Sequence, residues 1–147
     1  MKNKLIFAFT YFLIVEYILR TFVEQYKYHV AGNFMEILPL IIGSLIISFL
    51  SRKTIETQNF RKVCLKLSLA SIAGFLTAKT ILFFQWYWII APEYRNVNGD
   101  MEEGLAWTLM DSLFGALEIV ILFLIFVIII KASQKGKSQT TTANSSL

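Results

Sequence analysis

The stretch LAWTLMDSLFGALEIVILFLIFVIII, residues 105–130, holds two acids, Asp111 and Glu118, no base, and stops at Lys131. At about 1.5 Å per residue a helix of that length reaches roughly 39 Å, more than the ~30 Å hydrocarbon core of a bilayer. Three further stretches, 5–26, 34–50 and 63–90, are apolar over lengths that cross or nearly cross the same core. Together they take up most of the 147 residues, which are 56% hydrophobic and 16% charged, where a soluble domain carries about 25% charged residues. Mean hydropathy is +0.59. The fold class read from this is all-α and polytopic: one four-transmembrane-helix bundle over residues 1–131. The tail, 132–147, is built of Ser, Thr, Gln, Lys and Gly with little apolar surface, and is expected to be a disordered cytoplasmic end. What lies outside the spans is too short for a separate globular domain of about 50 residues or more. Catalytic, ATP-binding and DNA-binding modules in the cytoplasm are therefore excluded.

The basic residues say which way the bundle is threaded. Net charge is +4 and the isoelectric point is near 9.2, yet the bases do not gather into the solvated face that a nucleic-acid partner requires. Lys2, Lys4, Arg52, Lys53, Arg61, Lys62, Lys131, Lys135 and Lys137 flank the apolar segments, where cytoplasmic charge is found. Against them the same segments hold one acid, Glu56, whereas the intervening segments pair Lys27 and Arg95 with Glu24, Glu93, Asp100, Glu102 and Glu103. Both termini are expected inside. The apolar run from Leu5 continues through Phe22 with no small-residue cleavage site, so the first span is expected to stay uncleaved. Tyr26, Tyr28, Trp86, Tyr87, Trp88, Tyr94 and Trp107 all fall at the outer helix ends, the headgroup level that Trp and Tyr prefer. The location expected is the cytoplasmic membrane of a bacterium.

Local signals place the helix ends. Asn33 with Glu36, and Asp100 with Glu103, have the spacing of a capping box, which predicts that spans two and four start there. Asn96–Gly99 reads as a turn. Pro39 must kink the second span or mark a later start.

The informative residues are the ionisable groups inside the spans, each costing several kcal/mol in hydrocarbon unless paired or hydrated. Glu16, Arg20, Lys79, Asp111 and Glu118 are the candidates for a ligand- or ion-binding site. Helical rise places Glu16 and Glu118 near mid-membrane and Arg20, Lys79 and Asp111 in the outer half. Glu16 and Arg20 are four residues apart on one stripe of span one, the spacing of a helical ion pair. In span four Gly104, Thr108, Asp111, Gly115 and Glu118 recur at helical intervals, a face of small and acidic residues expected to point into the bundle. Below Glu118 the run to Ile130 is aliphatic and aromatic, so a polar interior is expected to open outward. Ala70, Gly74 and Ala78 form a small-residue ridge on span three, with Lys79 about 100° around the helix from Ala78. Lys79 lies too deep to reach water comfortably and calls for a protein partner, Asp111 or Glu118. Three acids face two bases, leaving one acid over.

No catalytic constellation is present: no His-Glu-x-x-His, no Gly-x-Ser-x-Gly, and no histidine near in sequence to the single cysteine, Cys64. One histidine, His29, and one cysteine supply neither haem axial ligands nor a zinc set, so no cofactor and no metal are expected. Glu16, a carboxylate in the first of four short helices, resembles the small multidrug exporters in that one feature; the longer chain, fewer glycines and bases beside the acids depart from their pattern. The expectation is a non-catalytic bundle, partnered by the lipid bilayer and by another membrane protein or a second copy of itself. Accessory, assembly, immunity and exclusion proteins are of this type. The alternative is an oligomeric proton- or cation-coupled small transporter, which needs polar groups in the inner half. Ser44, Ser48, Lys66, Ser68 and Ser71 are the only candidates there.

Overall fold

The computed structural model describes the backbone of residues 1–23, 31–85 and 100–144, and within these leaves aside the side chains of 19–20, 22–23, 31–36, 100–104, 107 and 135–144. All the regular structure in the described residues is helical: α1 (Lys2–Val23), α2 (Ala31–Leu50), α3 (Arg52–Thr57), α4 (Phe60–Gln85) and α5 (Asp100–Asn144). Two segments are long and apolar enough to cross a membrane, Phe60–Gln85 with mean hydropathy 1.7 and Thr108–Gln134 with 3.2; a shorter apolar helix covers Ile37–Leu50. Only 22% of the most apolar window of α5 is buried inside the bundle. Leu109, Leu113, Phe114, Leu117, Ile121, Ile125 and Ile129 instead point outward. So much outward-facing hydrocarbon on one helix is compatible with a membrane protein. The connections 24–30 and 86–99, with the expected turn at 96–99 and the Tyr and Trp residues of 26–28, 86–88 and 94, lie outside the described residues.

The four long helices form a ring. α1 packs on α2 and most extensively on α4, and α5 packs on α4 and α2, so α1 faces α5 across one diagonal and α2 faces α4 across the other. Three glycines set the spacings. A Cβ on Gly74 of α4 would fall 2.1 Å from the carbonyl oxygen of Phe9 in α1, so these two helices meet backbone to backbone. A Cβ on Gly43 of α2 would meet the Tyr11 ring, and one on Gly115 of α5 the Phe75 ring. Close approach at small residues is the ordinary means of helix association in a bilayer, where apolar burial between helices gains little over lipid. Tyr11 also donates its hydroxyl to the Pro39 carbonyl oxygen at 3.3 Å. α2 runs unbroken through Pro39, whose missing N–H removes the bond to the carbonyl four residues earlier.

Inside, Ala8, Phe12, Ile47, Ile55, Val63, Leu67, Ile119, Phe123 and Val127 are almost fully buried. The Phe12 and Phe123 rings meet at 6.3 Å between centroids across the α1–α5 diagonal. The end of the bundle where α4 begins is shut by α3, which buries Ile55 and is tied to the start of α1 by a hydrogen bond from Lys4 Nζ to Thr54 Oγ1, 3.0 Å.

Three details differ from the sequence reading. α2 starts at Ala31, two residues before Asn33, so Asn33 lies within the helix and is not its cap. α4 starts at Phe60 rather than 63 because Asn59 caps it: its side-chain oxygen accepts from the Arg61 backbone N–H at 3.0 Å. α5 does not stop with its apolar surface but continues as helix through the polar stretch to Asn144. Extending an existing helix avoids the nucleation cost, and Lys, Ala and Gln are good helix formers. The end of the apolar stripe at 130 marks where packing stops, not where the backbone changes.

Candidate functional site

The site is assembled by the α4–α5 register. Phe75 of α4 seats its ring on Gly115 of α5. One turn on in each antiparallel helix, Lys79 stands opposite Asp111, and its ammonium donates to Asp111 Oδ2. The same Nζ lies 3.0 Å from Glu16 Oε1 of α1 and 5.2 Å from the Phe75 ring centroid, a cation–π contact. Lys79 is thus held by two carboxylates from two other helices and by an aromatic face from its own. Its side chain is 6% exposed and that of Glu16 10%, whereas that of Asp111 is 46% exposed. The cluster is closed on the α1 side and open on the α5 side. Just beyond it Tyr17 donates to Gln85 Oε1 at 3.0 Å, locking the same α1–α4 pair.

Of the five residues expected to make a site, the structure brings together Glu16, Lys79 and Asp111. Glu118 is half-buried two turns along α5. The backbone of Arg20 lies one turn beyond Glu16 in α1, but its side chain, and with it the expected Glu16–Arg20 pair, lies outside the described residues. That pair keeps a direct test: neutralising Glu16 or Arg20 singly is expected to lower folded yield more than neutralising both, and additive losses would show that they do not couple.

The acidic face of α5 sits differently from expectation. The stripe buried in the bundle is Ser112, Gly115, Ile119, Phe123 and Val127. Asp111 and Glu118 each precede a member of it by one residue, which turns them about 100° toward the flank beside α4. Counting intervals identifies which residues share a face but not which way that face is turned, and here the acids edge the interior instead of lining it.

Sequence reading gave no sign that the serines on the α3 side of the cluster would be enclosed. Ser44, Ser48 and Ser51, at helical spacing along α2 and just past its end, and Ser68 and Ser71 of α4 are all buried. The hydroxyls of Ser44, Ser48, Ser51 and Ser71 have no hydrogen-bond partner among the described residues. Buried polar atoms are nearly always satisfied by protein or water.

Chemically, the arrangement holds charge in place. Two carboxylates committed to one ammonium present neither an activated nucleophile nor a vacant ligand set, and among the described residues no group of three His, Cys, Asp or Glu side chains comes together. The fold and site define an all-helical protein with membrane-length helices and a three-helix ion cluster. Comparison with known protein families, with characterised proteins and with solved structures finds no match to this chain.

Proposed function

We propose that the chain is a multi-pass protein of a bacterial cytoplasmic membrane, with α1, α2, α4 and α5 each spanning and both termini inside, and that it acts as a non-catalytic bundle that binds or regulates another membrane protein. Basic-residue asymmetry supports the topology. Reporter fusions after Leu147 and within Asn96–Gly99 test it: the first is expected to report the cytoplasm and the second the outside, and the reverse result overturns it.

The observation that carries the binding role is the half-open Asp111. Its side chain is 46% exposed on a helix whose Met110, Leu113, Phe114 and Leu117 are all more than half exposed, at a depth where contact with lipid is costly. A partner helix laid on this flank removes that cost and covers the apolar residues around it. A photo-crosslinking side chain at Leu113 is expected to give one discrete protein adduct that disappears with Asp111→Asn, while the same probe at Leu45 on α2 gives lipid adducts alone. Equal products at both positions would reject the α5 flank as the interface.

The alternative, an oligomeric proton- or cation-coupled transporter, is favoured by the unpartnered serine hydroxyls, which supply polar groups below the cluster. It takes second place because Phe12, Phe123 and Ile55 close the bundle at that level.

A further inference from the structure

Between α4 and α5, on the outside of the bundle, runs an open groove of about 230 Å³. Its walls are mainly Leu65, Leu69 and Ile72 from α4 and Val120 and Leu124 from α5, with Cys64 and Ser68 of α4 also lining it. The exposed wall surface is almost wholly apolar, but one end is not. At the start of α4 the groove meets Phe60 and Arg61, and two cations gather on the Phe60 ring: Arg61 Cζ lies 5.9 Å and Lys131 Nζ 4.3 Å from its centroid. Among the described residues neither cation is paired with a carboxylate. An apolar trough that ends under two uncompensated cations has the pattern of a phospholipid with a negative headgroup.

We propose that this groove binds one anionic phospholipid of the cytoplasmic leaflet, with an acyl chain along Leu65, Leu69 and Leu124 and the phosphate beside Arg61 and Lys131. The proposal rests on the topology given above, which puts Phe60 and Lys131 at the inner surface. Helix geometry agrees: Leu69 lies about 13 Å along α4 from Phe60, within the reach of an acyl chain whose headgroup is at the interface. Arg61 offers a planar fork that matches phosphate oxygens, and Lys131 adds a point charge. A second groove of about 220 Å³ lies between α1 and α2, lined by Asn3, Lys4, Phe7, Ile47 and Leu50. There the lysine already donates to Thr54, so two cations at one apolar end set the α4–α5 groove apart.

The test is retention of added lipid by the purified full chain, read by native mass spectrometry, with phosphatidylglycerol and phosphatidylcholine of matched acyl chains as probes. Each cation near the headgroup favours the anionic lipid about five-fold, so the wild type is expected to retain phosphatidylglycerol roughly 30-fold better. The preference should weaken as salt is raised. Arg61→Gln with Lys131→Gln is expected to bring the two lipids near parity, and Leu69→Trp, which fills the trough, to lower retention of phosphatidylglycerol. Parity in the wild type overturns the proposal without any variant. A preference that survives the double substitution, or one that survives Leu69→Trp undiminished, places the lipid elsewhere and also overturns it. A chain that fails to fractionate with membranes at all fails the multi-pass reading first, and the lipid site with it.

Discussion

Gly74→Val is expected to leave almost no folded protein, and Gly74→Ala to lose about 3 kcal/mol or more, at or beyond the upper end of ordinary overpacking. The atom that a Cβ at this position meets is the Phe9 carbonyl oxygen, at 2.1 Å, with the Phe9 carbonyl carbon at 2.9 Å and Cα at 3.1 Å. These are backbone atoms inside a helix and cannot rotate aside, so α1 and α4 must part by about 1 Å to restore van der Waals separation. The same displacement pulls on Glu16–Lys79 and Tyr17–Gln85, which bridge the same two helices farther along. Gly43 and Gly115 are less demanding, because each meets the ring of a side chain that can move. The neighbouring Ala73 is exposed, so Ala73→Val should change stability by no more than about 0.5 kcal/mol. Thermal melting in detergent, followed by the monodisperse fraction, compares the three variants. If Gly74→Val melts with the wild type, α1 and α4 do not touch at that point and the ring order of the helices is wrong.

How far the sequence could be read follows from which features are local. The all-helical character was legible, because apolar runs bounded by basic residues and caps are properties of contiguous residues. α3 was not: Ser51–Lys62 reads as a charged loop, and a single buried residue, Ile55, makes its short helix part of the core. Asn59 was available as a cap signal, since it precedes an apolar helix directly, but the bases beside it drew that segment into the loop. Lys79 announced its need for an acid by its depth, and Asp111 was one of the two partners proposed. Its contact with Glu16 was not legible, because Glu16 already had a partner four residues away in Arg20. Bringing Glu16 to Lys79 depends on how far α1 slides along α4, and that is set by Gly74 against Phe9, a contact between residues far apart in the chain. The orientation of the acidic face of α5 failed for the same reason: helical periodicity determines angles between residues, and only packing determines the zero of the angle.

Lys79→Met is expected to cost about 3–5 kcal/mol, the usual penalty for breaking a buried ion pair from one side. The methionine fills much of the space, so the loss comes from the two carboxylates left without their cation and not from a cavity. They are not equally stranded. Glu16 is enclosed between α1 and α4, whereas Asp111 is nearly half open, and a carboxylate that reaches a polar surrounding loses less. The double variant Lys79→Met with Glu16→Gln should therefore recover more of the folded yield than Lys79→Met with Asp111→Asn. Equal recovery would mean that burial does not distinguish the two acids. The Leu113 cross-link, measured in the best-recovered double variant, then separates a structural cluster from a functional one. If Asp111 binds the partner directly, removing Lys79 and Glu16 leaves that carboxylate in place and the adduct forms. Should the adduct vanish although the bundle refolds, Lys79 is needed to aim Asp111 at the partner, and the cluster serves recognition. Where Lys79→Met alone folds like the wild type, the three charges are not coupled, and neither account survives.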